Sequence, residues 1–376
     1  MSATAQPLRN SVTNATGNVL SVYLNVDQSN ASNLNRGHEN ALTSNLKAVG
    51  DRLSEIVDRK DFHAAAKLVQ EFVGNQKPSG KALIVFADSS RILFSRALNV
   101  DIPTSVHWGK PYVAPFVEAL DEFERCTIVV TNKWQGRVVS LFLGRVETST
   151  QIQDIPHTTH IRATGMDHLE AQARDQRHAD ENMKKHLKHL LVCLESVLLN
   201  YPSDRIILGG IVEPVSELLR LLPKPLQSRI IGTVHSSMAD SLEKVVETAT
   251  EVSARYERGY ETRSIANLLE LAGEKHKAVT GAAETLGAVR EKRLFTLYYA
   301  RGFELPGKFC VACGSLYTVH HTPPCASCGA HLEDSADLIN QVLIATINCG
   351  ARIEQVQGEA ANKLRNVGGI GAVLRY

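Results

Sequence analysis

Apolar residues recur along this chain with two periods, near two and near three and a half, and the switches between them set out its elements. Residues 19–26 alternate Val, Leu, Val, Tyr, Leu and Val with small polar residues, which predicts a strand. From 38 to 56 the apolar positions Leu42, Leu46, Val49, Leu53 and Ile56 fall three to four apart, which predicts an amphipathic helix. A second helix is expected over about 62–74, with the turn between the two at Asp58-Arg59-Lys60-Asp61. Strands are expected at 81–87 and 91–94, and Pro103 with Trp108 to Pro111 breaks the pattern. In the next stretch a strand pair at 125–131 and 136–144 leads into a long loop, 147–167, and a helix over 167–199. Strand, Gly209-Gly210 turn, helix 213–222, strand 229–232 and helix 238–256 then alternate in the order that builds a parallel or mixed sheet. The last stretch reads as helices 263–272 and 276–290, strand 293–300, a cysteine-rich insert, helix 335–349, strand 351–356, a short helix and a closing strand 372–376.

These elements predict an α/β (α+β) protein of three domains, the second and third being α/β sandwiches. The expected boundaries are 1–17 for a polar, aperiodic tail, 18–111, 112–256 and 257–376. Length agrees, since 376 residues exceed one ordinary domain. With 43% hydrophobic and 22% charged residues the chain can bury proper cores, which excludes a largely disordered protein. No apolar run approaches the ~18–20 residues of a membrane span, and no basic start precedes an apolar stretch. A soluble, cytoplasmic protein without a membrane partner is expected. Lys and Arg number 41 against 40 Asp and Glu, a net charge of +1 that argues against a polycation coating DNA or RNA by bulk electrostatics. Any RNA contact has to come from local patches, and DNA is not expected as a partner.

Seven cysteines change the picture at one place. Cys310-Val-Ala-Cys313-Gly and Cys325-Ala-Ser-Cys328-Gly form two CxxCG knuckles inside nineteen residues. Such spacing puts two thiolates on each side of a tetrahedral ion, and the following glycine permits the left-handed turn that closes a knuckle. A structural Zn²⁺ ribbon over 308–330 is expected, with Cys310, Cys313, Cys325 and Cys328 as ligands. A catalytic role is not, because four thiolates leave no position open for water. His320 and His321 read as surface residues. Cys126, Cys193 and Cys349 sit in apolar surroundings and read as small buried hydrophobes.

Six of fourteen histidines fall between 157 and 189, interleaved with Arg162, Arg174, Arg177, Lys184, Lys185 and Lys188 and with five acids. The plain reading is a solvated helix face with i,i+4 pairs. The histidines lack ligand spacing for a metal, and no acid and base pair suggests an RNA-cleaving centre. A loop as long as 147–167 is expected to be functional or disordered. Gly209-Gly210 lacks any phosphate-loop spacing and reads as a strand-to-helix turn, and Gly368-Gly369-Ile370-Gly371 reads as a close-packing bend.

The run Asn366-Val-Gly-Gly-Ile-Gly-Ala-Val-Leu-Arg-Tyr376 resembles the glycine-rich closing strand of the archaeal and eukaryotic class-1 peptide-chain release factors and their Pelota-type relatives. The resemblance spreads over nearly the whole chain: the two CxxC knuckles before Gly350-Ala-Arg-Ile-Glu-Gln-Val356, the passage from Gly281 to Tyr298, the strand pair, long loop and long helix before Ile206-Ile-Leu-Gly-Gly210, and Gly17-Asn-Val-Leu-Ser-Val-Tyr-Leu24. It is most similar to that superfamily's divergent bacterial branch. The resemblance implies a ribosome-binding protein of translation termination or ribosome rescue, with ribosome and tRNA as partners and a translational GTPase as a further one. It places Arg162 and Gly165 of the long loop near the tRNA acceptor end and Arg174, Arg177, Lys184 and Lys185 along RNA phosphates. Two family motifs are missing. The stretch His160-Ile-Arg-Ala-Thr-Gly-Met-Asp-His168 stands where release factors carry the Gly-Gly-Gln that places the attacking water, and no Asn-Ile-Lys-Ser for reading stop codons occurs. Stop-codon reading is therefore not expected, and two readings stand open: peptidyl-tRNA hydrolysis on the ribosome, or a non-catalytic RNA- or protein-binding module that keeps the fold.

Overall fold

A computed structural model of the chain describes Val12, Ala15 and residues 17–154, 168–274 and 277–376, the side chains of 168–175 excepted. The expected tail 1–17 lies almost wholly outside the described residues. Two compact units emerge, Met1–Glu122 together with Arg258–Tyr376, and Phe123–Glu257.

In the first unit, β1 (Val19–Asn25), β2 (Ala82–Ala87), β3 (Ile92–Leu98) and β4 (Ser105–Gly109) form an antiparallel sheet in the order β3-β2-β1-β4. Leu20, Val22 and Leu24 alternate onto the face covered by α1 (Gly37–Gly50) and α2 (Ile56–Asn75), where they meet Leu42, Leu46, Phe62 and Val69. Two expectations are corrected here. The segment around Trp108 is strand β4, because Val106 and Trp108 both pack into this core. Asp58 to Asp61 lie inside α2; an acid in a helix's first turn faces the positive end of its dipole, so Asp58 favours that start. The helix α3 (Ala114–Glu122) also falls in this unit. Its Asp121 carboxylate accepts the Gln355 backbone N–H (2.7 Å), and Asn340 holds the preceding turn through Val113 N–H and Pro111 O (2.8 Å each).

The second unit is built on a mixed five-stranded sheet, β7-β6-β5-β8-β9. Its strands are β5 (Cys126–Thr131), β6 (Gln135–Phe142), β7 (Arg145–Gln153), β8 (Arg205–Gly210) and β9 (Ile230–Val234). β5, β8 and β9 pair in parallel, and β6 pairs antiparallel with both β5 and β7. One face packs against α4 (His168–Asn200) and α5 (Val212–Leu221) through Val129, Val138, Leu187, Leu190, Leu194 and Leu218. A short helix α6 (Lys224–Gln227) leads to β9. On the other face Ile128, Val130, Val139 and Ile207 meet Val245 and Ala249 of α7 (Leu242–Gly273). Residues 147–153, expected as part of the long loop, are strand; their Thr and Ile residues suit an exposed edge paired with β6. The two helices expected at 238–256 and 263–272 are one, since Gly259 alone costs only ~1 kcal/mol and no proline interrupts.

Ile265 and Leu268 of α7 belong to the core under a second sheet of the first unit, ordered β10-β16-β11-β15. It comprises β10 (Ala278–Thr280), β11 (Leu294–Ala300), β15 (Arg352–Val356) and β16 (Ile370–Leu374), with α8 (Ala282–Arg290), α9 (Ile339–Asn348) and α10 (Gly358–Arg365). The helix expected at 276–290 therefore starts only after β10, where Gly281 at φ +80° makes the corner. Asp337 fixes where α9 begins by accepting N–H groups of Leu305 and Ile339. β11 and β15 pair in parallel, and the connection between them carries β12 (Gly307–Cys310), β13 (Leu316–Thr318) and β14 (Leu332–Ser335) followed by α9. Gly369 bends tightly into β16: its φ is +75°, and a Cβ there would stand 2.4 Å from the Phe303 ring. Among the described residues no helix is long and apolar enough to cross a membrane.

Candidate metal centre and the long helix

The cysteine insert folds as a three-stranded sheet, β13-β12-β14, whose small core is Cys310, Tyr317, Cys325 and Leu332. Its two knuckles are built alike. Gly314 N–H donates to Cys310 O and Gly329 N–H to Cys325 O, both at 2.8 Å, with both glycines at positive φ (+73° and +77°). The four sulfurs lie within 4.8 Å of one another, with Cys310–Cys328 at 3.4 Å and Cys313–Cys325 at 3.6 Å. A tetrahedron with metal–sulfur bonds of ~2.3 Å has edges of about 3.8 Å, so this donor set fits one soft divalent cation. The Tyr317 hydroxyl, 3.3 Å from Cys325 Sγ, holds that thiol down at about 5. Cys328 is pushed up to about 12, its bond from the Ala330 backbone being outweighed by hydrogen bonds with the neighbouring thiols. A bound cation favours thiolate on all four. Arg290 ties the insert to α8: its guanidinium lies 4.9 Å over the Tyr317 ring and donates to Leu316 O at 2.7 Å. His321 stacks on Tyr317 (4.1 Å, 15°) and is half-buried, and His320 is exposed.

In the second unit four of the six residues expected at RNA fall on α4. Arg162 and Gly165 lie outside the described residues. Arg174 is on the helix, with its side chain outside the description, and Arg177, Lys184 and Lys185 are exposed. At 100° per residue Arg177, Lys184 and Lys188 fall within about 40° of one another, a stripe of about 16 Å along one face. Lys188, exposed as well, was not singled out by the sequence as a phosphate contact. Charge divides the helix. Arg174 and Arg177 stand among Glu170, Asp175, Asp180 and Glu181, whereas 183–189 holds three lysines and no acid. None of those lysines has an ion-pair partner among the described residues, so this turn presents unneutralised charge.

The opposite side of the same turn holds a feature that sequence reasoning missed. His186 is fully buried, and its Nδ1–H donates to Asp154 Oδ2 at 2.7 Å. The other oxygen of Asp154 accepts from His189 Nδ1 at 3.0 Å. Against the desolvation that burial imposes, these two hydrogen bonds hold the Asp154 carboxyl below the usual range. Asp154 lies 32 residues from His186, so no local spacing announced the pair. Gly210 at φ +126°, the strand-to-helix turn the sequence predicts, packs its Cα onto the Thr131 carbonyl beside this pair. Cys126 is a buried hydrophobe whose thiol burial pushes up to about 12.

Residues 111–254 match the family model described as bacterial archaeo-eukaryotic release factor family 10. Among solved structures the chain is similar to archaeal Pelota in a ribosome-bound model with ABCE1 (12% identity, 99% of this chain and 93% of that chain, TM-score 0.43). It is also similar to Dom34 of S. cerevisiae (13%, 78% and 80%, TM-score 0.41) and to the archaeal translation termination factor aRF1 (15%, 95% and 92%, TM-score 0.25). No curated protein matches the sequence.

Proposed function

We propose that this chain, whose residues 111–254 match the model of bacterial archaeo-eukaryotic release factor family 10, binds the ribosome and acts in translation termination or in the rescue of stalled ribosomes. The observation that carries this reading is that the matched segment contains the long helix with its free lysine turn. Lys184, Lys185 and Lys188, with Arg177 and Arg174, are assigned to RNA phosphates, and Arg162 and Gly165 to the neighbourhood of the tRNA acceptor end. The ribosome and tRNA are the proposed partners; a translational GTPase is a further one, Hbs1 being named with Dom34. The protein is read as cytoplasmic, with the division 18–111, 112–256 and 257–376 as its three proposed domains. The cysteine cluster is assigned to Zn²⁺, because four thiolates suit a soft ion and saturate it. The ion would stiffen the insert, and this chain's contribution is the pair of glycine-closed knuckles and the Tyr317 hydroxyl on Cys325.

Chemistry on peptidyl-tRNA is the second question. The sequence between the strand pair and the long helix has one glycine and no adjacent glutamine where water would be placed, which favours occupancy without hydrolysis. Co-sedimentation with ribosomes across a salt series tests the first reading. Each phosphate that a side chain ceases to neutralise lowers the slope of log K against log salt by about 0.7–0.9, so Lys184→Glu with Lys188→Glu should flatten it by at least about 1.4. Salt-independent binding, or an unchanged slope in the double variant, refutes the assignment. Single-turnover hydrolysis of peptidyl-tRNA on purified ribosomes decides the second, release above background being the result that restores a catalytic role.

A further inference from the structure

The face that α4 turns to the sheet is a seam of leucines with one methionine and one valine, and apolar burial has no directional preference. A helix can move along such a seam by one turn, ~5.4 Å, and offer a new set of aliphatic side chains to the same strands. Among the described residues of α4, His186 is the one buried polar side chain. Its ring is anchored through Nδ1. Nδ1–H donates to Asp154, just past the end of β7, and Nε2 lies 3.4 Å from Thr131 Oγ1 at the end of β5. Asp154 is itself fixed, its backbone N–H donating to Trp134 O at 2.8 Å.

Two other uses of these groups fail. Thr131, His186 and Asp154 stand in the order of a nucleophile, a base and an acid, but the Thr131 hydroxyl is fully buried and donates to the carbonyls of Asn132 and Gln135. No substrate reaches it. Nor do they gather a cation, since among the described residues only the four cysteines bring three or more ligand atoms within 4.8 Å.

We propose that His186 is a positioning residue: its hydrogen bond to Asp154 fixes the axial register of α4 on the sheet. A single buried polar contact setting register in an otherwise apolar interface is the best attested use of such groups. His186 lies 180–200° round the helix from Arg177, Lys184 and Lys188, so the same lock fixes where that stripe stands. The role of that stripe at the ribosome rests on the function proposed above; the register does not.

The Leu190 side chain provides the readout, because it packs against Gly136, where a Cβ would come within 2.7 Å of Leu190 Cδ1. In the full-length protein an NOE should join the Leu190 methyls to the Gly136 Hα. His186→Leu keeps the side-chain bulk and should leave the protein folded with that cross-peak absent or split. Asp154→Ala, at a side chain 34% exposed, should do the same if His186→Leu does not fold. Asp154→Asn keeps an oxygen acceptor for Nδ1–H and should retain the single cross-peak. An unchanged cross-peak in both His186→Leu and Asp154→Ala overturns the proposal. Ribosome affinity is measured on the same variants, with a loss of about tenfold expected. A shifted register with full affinity leaves the lock standing and refutes the ribosome-facing assignment of the stripe, and reduced affinity with intact register overturns the lock.

Discussion

Two glycine-to-alanine substitutions add the same methyl group and should act with opposite sign. At Gly210 the backbone sits at φ +126°, and a Cβ would stand 1.9 Å from the Thr131 carbonyl oxygen and 2.9 Å from its carbon. No rotamer relieves that clash, because the neighbour is the backbone of a central strand. The unfavourable φ costs ~1–3 kcal/mol and the overpacking another ~1–3, so Gly210→Ala should lose about 2–6 kcal/mol, a large share of an ordinary domain's stability. At Gly259, inside α7, the new Cβ would meet only the far end of the Arg263 side chain at 3.3 Å, and the backbone is helical. Lower entropy in the unfolded chain should then stabilise Gly259→Ala by roughly 0.5–1 kcal/mol. Urea denaturation measures both. Trp134 fluorescence in a Trp108→Phe background follows the unit that holds Gly210, and far-UV circular dichroism follows the helix. A Gly210→Ala midpoint equal to the parent's would refute the tight turn. A destabilised Gly259→Ala would mean that the helix breaks there, as the separate segments 238–256 and 263–272 would require.

Four further outcomes are expected. Elemental analysis should find one metal ion per chain, absent from Cys313→Ser; two ions, or one retained in that variant, would contradict the four-sulfur site. Arg205 is buried against Glu257, itself 2% exposed, and reaches Glu124 at 2.9 Å, so Arg205→Met should cost about 3–5 kcal/mol and Arg205→Met with Glu257→Leu much less. If the single and double variants melt alike, the pair is not coupled. The Asp154 carboxyl is lowered in the folded state, so its contribution is present at neutral pH and lost as pH falls through the folded value, below the usual carboxylate range. Asp154→Asn should remove that part of the acid slope, and an identical pH profile would show that the pairing adds nothing. Cys126, with its thiol pushed up to about 12, should resist iodoacetamide in the native state, and rapid labelling would place it at the surface.

How far the sequence could be read depended on the range over which each signal acts. The knuckles at Cys310 and Cys325 were legible because metal ligation imposes a short, fixed spacing. The sheet at 125–131 and 205–210 was legible because buried parallel strands are continuous apolar runs. Residues 147–153 escaped notice because an edge strand keeps its polar face, and Thr and Gln there look like a loop. Trp108 was hidden by the prolines beside it. The pairing of Asp154 with His186 could not be seen at all: the histidine lay in a run of six, and its partner was chosen by tertiary packing.

The insert between β11 and β15 also bears on how the chain folds in time. About 50 residues separate these parallel strands, and the cysteine cluster lies within that connection. An ion that ties Cys310 to Cys328 shortens the effective loop by about a third, which by loop-closure entropy changes the barrier to pairing by only ~0.4 kcal/mol, about a factor of two in rate. The sheet should thus refold at nearly the same speed with or without metal. What the ion governs is the lifetime of the insert itself, whose opening under a chelator leaves strand pairing beneath it intact.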